Sequence, residues 1–98
     1  MEKRIPHCPL SIVKALVDAG QVRTTRSARE GAVAMGLSLE GMLCIVKRLT
    51  AADFHKSMTS HADHRVWQDV YRGATSVGSV YIKLTVIDDL LIVSFKEL

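Results

Sequence analysis

The chain has 98 residues, 48% of them hydrophobic and 23% charged, with a formal net charge of +3. That length suits a single domain, 1–98, with a thin core, and the apolar content excludes a disordered tail. No apolar run approaches the ~20 residues of a membrane span, and prolines interrupt "MEKRIPHCPL" before a signal-peptide apolar stretch can form, so a cytoplasmic protein with no membrane partner is expected.

In "PLSIVKALVDAG", Leu10, Val13, Leu16 and Val17 share one helical face, and Gly20 supplies a stop. "QVRTT" (21–25) is too short for a helix and suits an edge strand. "SARE" (27–30) reads as a capping box, with Ser27 and Glu30 opening a second helix that runs to Met35 and stops at Gly36. "SLEGMLCIVKRL" carries the stripe Leu39, Met42, Leu43, Val46, Leu49 of a third helix. Cys44 falls in that stripe and is expected to be a buried thiol. With Cys8 the only other cysteine and no CxxC spacing, there is no disulfide scaffold.

"TAAD" (50–53) makes one capped turn, after which the period changes from helix to strand. "FHKSMT" alternates, "RVWQDVYR" is rich in strand formers, and "SVYIKLTVI" and "LLIVSF" are the clearest strands. Helices first and an antiparallel meander second predict an α+β domain with the helices on one sheet face.

The registers can be tried directly. With Asp88–Asp89 as a two-residue turn, Tyr81 faces Lys96, Lys83 faces Ser94, Ile82 faces Phe95 and Leu84 faces Val93. With "SHADH" (60–64) as a loop, Lys56 faces Gln68, Met58 faces Val66 and His55 faces Asp69. Alternation puts His55 on the opposite face from Lys56, unless a bulge intervenes and makes His55 a candidate base.

Three chemistries compete for this polar half. A metal site would use His61, Asp63 and His64, with His55 or His7, but "HADH" in a loop is not a recurrent ligand spacing. A serine hydrolase would want a GxSxG elbow, which is missing. Metal-free phosphoryl transfer on RNA suits lysine, tyrosine, glutamine and arginine better. They supply positive charge, hydrogen bonds and proton carriers, while Tyr81 or Trp67 can stack a base. A basic N-terminal third, six basic residues against three acidic in 1–30, also suggests a polyanion partner. On composition alone, a sheet face bearing Lys, Tyr and Gln is most often plain solvated surface. A non-catalytic RNA-binding module, or a DNA-binding one using Arg23, Arg26 and Arg29, is the alternative function.

Several stretches carry a more specific signal: "MEKR" followed one residue later by "PH", then "VRTTRSA", "KSMT", "WQDVY" and "LTVIDDLLIVSFKE". Along its whole length the chain resembles the MqsR family of bacterial toxins. The resemblance implies a RelE-like fold and a sequence-selective endoribonuclease that cuts single-stranded mRNA at GCU-like sites without metal or other cofactor. It implies an MqsA-like antitoxin with a zinc-bearing domain and a DNA-binding domain, hence indirect contact with operator DNA. It carries over Lys56, Gln68, Tyr81 and Lys96 as catalytic residues. Met58, Arg72, Lys83 and Trp67 are expected to contact RNA. His55 stands where the family leads one to expect an aromatic such as tyrosine.

Overall fold

A computed structural model describes residues 1–98. Its first helix, α1 (Leu10–Asp18), buries Val13 and ends beyond Ala19, where Gly20 takes φ +72°, a left-handed value that suits glycine. A short strand lies on each side of it in sequence, β1 (Glu2–Lys3) and β2 (Val22–Thr24). The second helix, α2 (Arg26–Ala34), is capped two residues earlier than the "SARE" spacing predicts. Thr25, not Ser27, is the N-cap: its Oγ1 accepts from the Ala28 amide at 3.0 Å and donates to the Val93 carbonyl at 2.8 Å. Thr25 wins because strand β2 delivers it directly to the helix start, with its own amide bonded to the Ile92 carbonyl at 3.1 Å. Glu30 is left to pair with Arg26 on the solvent side.

The third helix, α3 (Leu39–Lys47), is capped by Ser38 and buries Met42 and Val46, with Leu49 buried just beyond it. Cys44 points away from that stripe and is exposed, which corrects the expected buried thiol. The residues that do face the core lie at positions 42, 46 and 49, and a helix cannot turn position 44 to the same side. After a 3₁₀ turn (Ala51–Asp53), in which Asp53 accepts from the Thr50 amide at 2.8 Å, the meander begins.

Its strands are β3 (Phe54–Thr59), β4 (Trp67–Thr75), β5 (Gly78–Ile87) and β6 (Asp89–Glu97), and the full sheet order is β1-β3-β4-β5-β6-β2. Every pairing is antiparallel except β2 with β6. One face carries Tyr71, Val80, Ile82, Leu84, Ile92 and Phe95, which form a single cluster with Val13, Ala28, Ala32, Met42 and Val46 of the helices. Each large side chain buried there contributes ~1.5–3 kcal/mol. The other face has no helix over it.

Two bulges set the final register. In β5–β6 the predicted pairs Tyr81↔Lys96, Ile82↔Phe95 and Lys83↔Ser94 are present. Beyond them the register shifts by one, so that Leu84 pairs with Ile92 rather than Val93 and Ile87 pairs with Asp89. Asp88 alone turns the chain, at φ +69°. The shift has a packing reason: it lets Leu90 and Ile92 share the helix-covered face with Phe95, which strict alternation forbids. In β3–β4 the loop is longer than expected, closed by the Ser60 amide on the Val66 carbonyl at 2.8 Å. Lys56 consequently pairs with Val70, Met58 with Gln68, and Ser57 rather than His55 with Asp69. A shift of two residues leaves each side chain on its predicted face. The exception is His55, which sits in a bulge between Phe54 and Lys56.

Asp69 explains how β1 reaches the sheet. It is 4% exposed on the helix side, and its two carboxylate oxygens accept from the His7 and Cys8 amides at 2.9 and 3.0 Å. This ties the N-terminal segment across the end of the sheet and sets β1 beside β3, with Glu2 opposite Met58.

Candidate active site

The open sheet face can be read row by row from the pairings. Lys56, Val70, Lys83 and Ser94 form one row across β3 to β6. Arg72, Tyr81 and Lys96 form the next row. Met58 and Gln68 form a third, on the other side of the first. Lys56, Gln68, Tyr81 and Lys96, which come from four different strands, therefore all point to the face that no helix covers. Met58, Arg72 and Lys83 join them. Lys56 and Lys96 stand three strand spacings apart, ~14 Å at the backbone, so they bracket the patch and Tyr81 and Arg72 lie between.

The side chains lean unequally. Lys96 folds inward, its Nζ 5.1 Å from the Tyr81 ring centroid, a cation–π contact. Lys56 leans outward and bonds the Glu2 carboxylate at 2.5 Å. That contact, by hydrogen bond first and by charge second, holds the Glu2 carboxyl below the usual carboxylate range, so it is ionised at neutral pH. Val70 is fully buried although it belongs to this face and not to the helix-packed cluster; its cross-strand neighbours are Lys56 and Lys83.

Charge on this face is one-sided. Arg72, Lys83 and Lys96 make no salt bridge, and Glu2 is the acidic partner of Lys56. Elsewhere several basic groups are neutralised: Arg23 chelates Asp89 at 2.6 and 3.0 Å, Arg26 meets Glu30 at 3.1 Å, and Lys47 bonds Asp18. The open face thus presents three unpaired cations where a polyanion can lie flat, and two of the three arginines that the DNA-reading alternative would use are held by carboxylates.

Trp67 does not join the site, contrary to expectation. Alternation along β4 puts it on the opposite face from Gln68. There it is stacked on His7 at 5.7 Å and covered by Lys3, whose Nζ is 4.2 Å from the ring centroid. The N-terminal segment has taken the surface a base would need. His61 and His64 line a shallow recess with Met1, Glu2 and Met58, and no three His, Cys, Asp or Glu side chains anywhere converge as metal ligands.

Sequence reasoning missed Glu2. A two-residue strand has no periodicity to detect, and its pairing with β3, beside the Asp69 tether, is long-range. It also left His55 undecided. Partial removal from water, followed by the charges of Arg72, Lys56 and Arg4, holds the His55 imidazole below the ordinary histidine value. The Arg4 guanidinium donates to the His55 carbonyl at 3.3 Å.

Comparison with known proteins adds the decisive observation. A family model described as "Motility quorum-sensing regulator, toxin of MqsA" matches residues 5–97. The chain belongs to the MqsR toxin family. A curated member, the mRNA interferase toxin MqsR of Escherichia coli (strain K12), is 59% identical over 97 residues, covering 99% of each chain. The unbroken coverage means that the MqsR-like stretches quoted from this sequence sit in one continuous fold rather than in an isolated motif, and that the open face lies wholly within the family region.

Proposed function

We propose that this chain is the toxin of a toxin–antitoxin pair, an endoribonuclease that cuts single-stranded mRNA at GCU-like sites in the cytoplasm without a metal ion. The observation that supports it best is the open face, where Lys56, Gln68, Tyr81 and Lys96 from four successive strands share a surface with the unpaired Arg72 and Lys83. The name of the Escherichia coli relative supports the same activity. RNA lies across the face, held by phosphate contacts to the basic groups and by Met58. Lys96 and Arg72 stabilise the phosphorane, Gln68 donates to a phosphate oxygen, and Tyr81 lies at the centre of the patch. Lys56 exchanges its Glu2 carboxylate for a backbone phosphate. These cations carry the charge that a divalent ion supplies in other nucleases.

A labelled single-stranded RNA with one GCU tests this. The expected result is shortening at that site, undiminished by EDTA. Retardation without shortening favours the binding-module alternative, and loss of cutting in EDTA with rescue by a divalent ion rejects the metal-free chemistry.

For the antitoxin, we place an MqsA-like partner on the outer edge of β2, because an exposed edge offers backbone pairing to a second chain. Hydrogen exchange on the complex is expected to slow at the Val22–Thr24 amides. Protection confined to other edges, with this strand unchanged, rejects that placement.

A further inference from the structure

We propose that His55 is the general base that takes the 2′-hydroxyl proton of the RNA, an assignment that rests on the ribonuclease reading above. In a regular strand Phe54 and Lys56 would share a face. Here they do not: Phe54 pairs with Tyr71 and packs edge-on against its ring at 5.5 Å among the core residues, while Lys56 pairs with Val70 on the open side. The extra residue that makes this possible is His55, which faces no partner on β4. Bulges of this kind re-aim side chains next to reactive surfaces. The charged groups that bear on the imidazole are Arg72 from β4, Lys56 from β3, Arg4 from the N-terminal segment and, in the opposite sense, Glu2 from β1. Arg72 and Lys56 belong to the open face, so the bulge places His55 within the field of that face's cations.

The chemistry fits a gap in the patch. Lysine and tyrosine side chains ordinarily keep their protons near neutral pH, which leaves a face rich in charge but poor in bases. Histidine is the side chain whose ordinary titration lies there, and removal from water first, then the cations around it, favour the neutral His55 that can accept a proton. In the step proposed, the 2′-hydroxyl proton passes to an imidazole nitrogen and the 2′-oxygen bonds to phosphorus. The phosphorus–5′-oxygen bond breaks with its electron pair on the 5′-oxygen. That oxygen takes a proton from the Lys96 ammonium, which is restored from water while the imidazolium returns its proton to solvent. The products are a 2′,3′-cyclic phosphate and a 5′-hydroxyl. Base on β3 and acid on β6 stand on opposite sides of the patch, as in-line displacement requires, with Arg72 and Tyr81 between them.

The pH dependence has a definite sign. The reactive form is neutral His55, so the rate falls as pH drops through its pKa. In the free enzyme that pKa lies below the ordinary 6.5. Bound phosphates favour the imidazolium, so the acid limb of kcat is expected at higher pH than that of kcat/KM.

The test compares wild type with His55→Asn on an RNA containing GCU, under single turnover from pH 5 to 8, with binding measured on the 2′-deoxy form of the same strand. Expected are a loss of roughly 10²-fold or more in the cleavage rate, disappearance of the acid limb, and unchanged binding and melting temperature. A His55→Asn rate and acid limb equal to wild type overturn the assignment while leaving the ribonuclease reading intact. A wild-type product ending in a 3′-hydroxyl also overturns it, because no 2′-oxygen has then attacked. A wild-type protein that leaves the RNA uncut overturns the ribonuclease reading and the base with it.

Discussion

Lys96→Ala is expected to lower cleavage of a GCU-containing RNA by about 10²–10³-fold, the usual loss when one group aimed at developing charge is removed. The side chain is exposed and points away from the helix-packed core, so the fold and melting temperature should not change. Lys56→Ala should also lose activity, but in a different parameter. In the free protein Lys56 is already satisfied by Glu2, so it has to exchange a carboxylate for phosphate before it helps. Its loss is expected mainly in RNA binding. Glu2→Gln should act in the opposite direction and tighten binding by about two- to fivefold at low salt, the range of an exposed ion pair. Its salt dependence should also steepen as one more cation becomes free to displace counterions. The double variant Glu2→Gln/Lys56→Ala removes the reason for the gain and should bind no better than Lys56→Ala. Rates and affinities measured together decide the matter. A Lys96→Ala protein as active as wild type removes Lys96 from the chemistry, and a Glu2→Gln protein that binds more weakly removes the idea that Glu2 competes with phosphate.

Gly31→Ala is expected to destabilise the protein by about 3 kcal/mol or more, at the upper end for an overpacked site, which in a domain of this size lowers Tm by about 12–24 °C. The usual effect of Gly→Ala inside a helix has the opposite sign, a gain of about 1 kcal/mol. What reverses it is the seat of α2 on β6: a Cβ at Gly31 would lie 1.7 Å from the Phe95 carbonyl oxygen and 2.9 Å from its carbon. Backbone on both sides would have to move. Gly41 is the internal control. It also lies within a helix, but its added Cβ meets the flexible Leu37 side chain at 3.3 Å, so Gly41→Ala should be neutral or stabilise by up to about 1 kcal/mol. Thermal melts of the two variants check the contrast. Because the strand under Gly31 carries Lys96 on its far side, surviving Gly31→Ala protein should also cut RNA more slowly. Equal melting temperatures for Gly31→Ala and wild type would mean that α2 does not sit on β6 as described.

Much of the architecture was legible where one residue type forces one conformation. Alternation from Val80 to Ile87 and from Leu90 to Phe95 fixed two strands, and taking Asp88–Asp89 as the turn paired Tyr81 with Lys96 and Ile82 with Phe95, pairs that are present although Asp88 alone turns the chain. The same alternation could not foresee the bulge that lets Ile92 and Phe95 share a face, because it depends on the shape of the helix layer rather than on the hairpin. The cap of α2 was misplaced for a similar reason: Ser27 and Glu30 have the right spacing, but Thr25 is delivered by a strand whose pairing is long-range. Trp67 shows the limit for function. An aromatic beside Gln68 invites a stacking role, yet adjacent strand positions face opposite ways, and the His7 and Lys3 that cover its ring lie some sixty residues away in the chain. Most of the site was legible only through the family resemblance. Periodicity paired Tyr81 with Lys96 but had no means of saying that Lys56 and Gln68 share their face. The pairing of β4 with β5, Arg72 against Tyr81, establishes that.

The central claim is that RNA lies on the sheet face away from the helices, between Lys56 and Lys96. Titrating the isotopically labelled protein with an uncleavable 2′-deoxy strand containing GCT, and following backbone amide and lysine side-chain resonances, tests it most directly. The expected result is that shifts concentrate at Lys56, Met58, Gln68, Arg72, Tyr81, Lys83 and Lys96, with α2 and α3 unmoved. Shifts gathered on those helices, around Arg26 and Arg29, with the sheet residues silent, would contradict it.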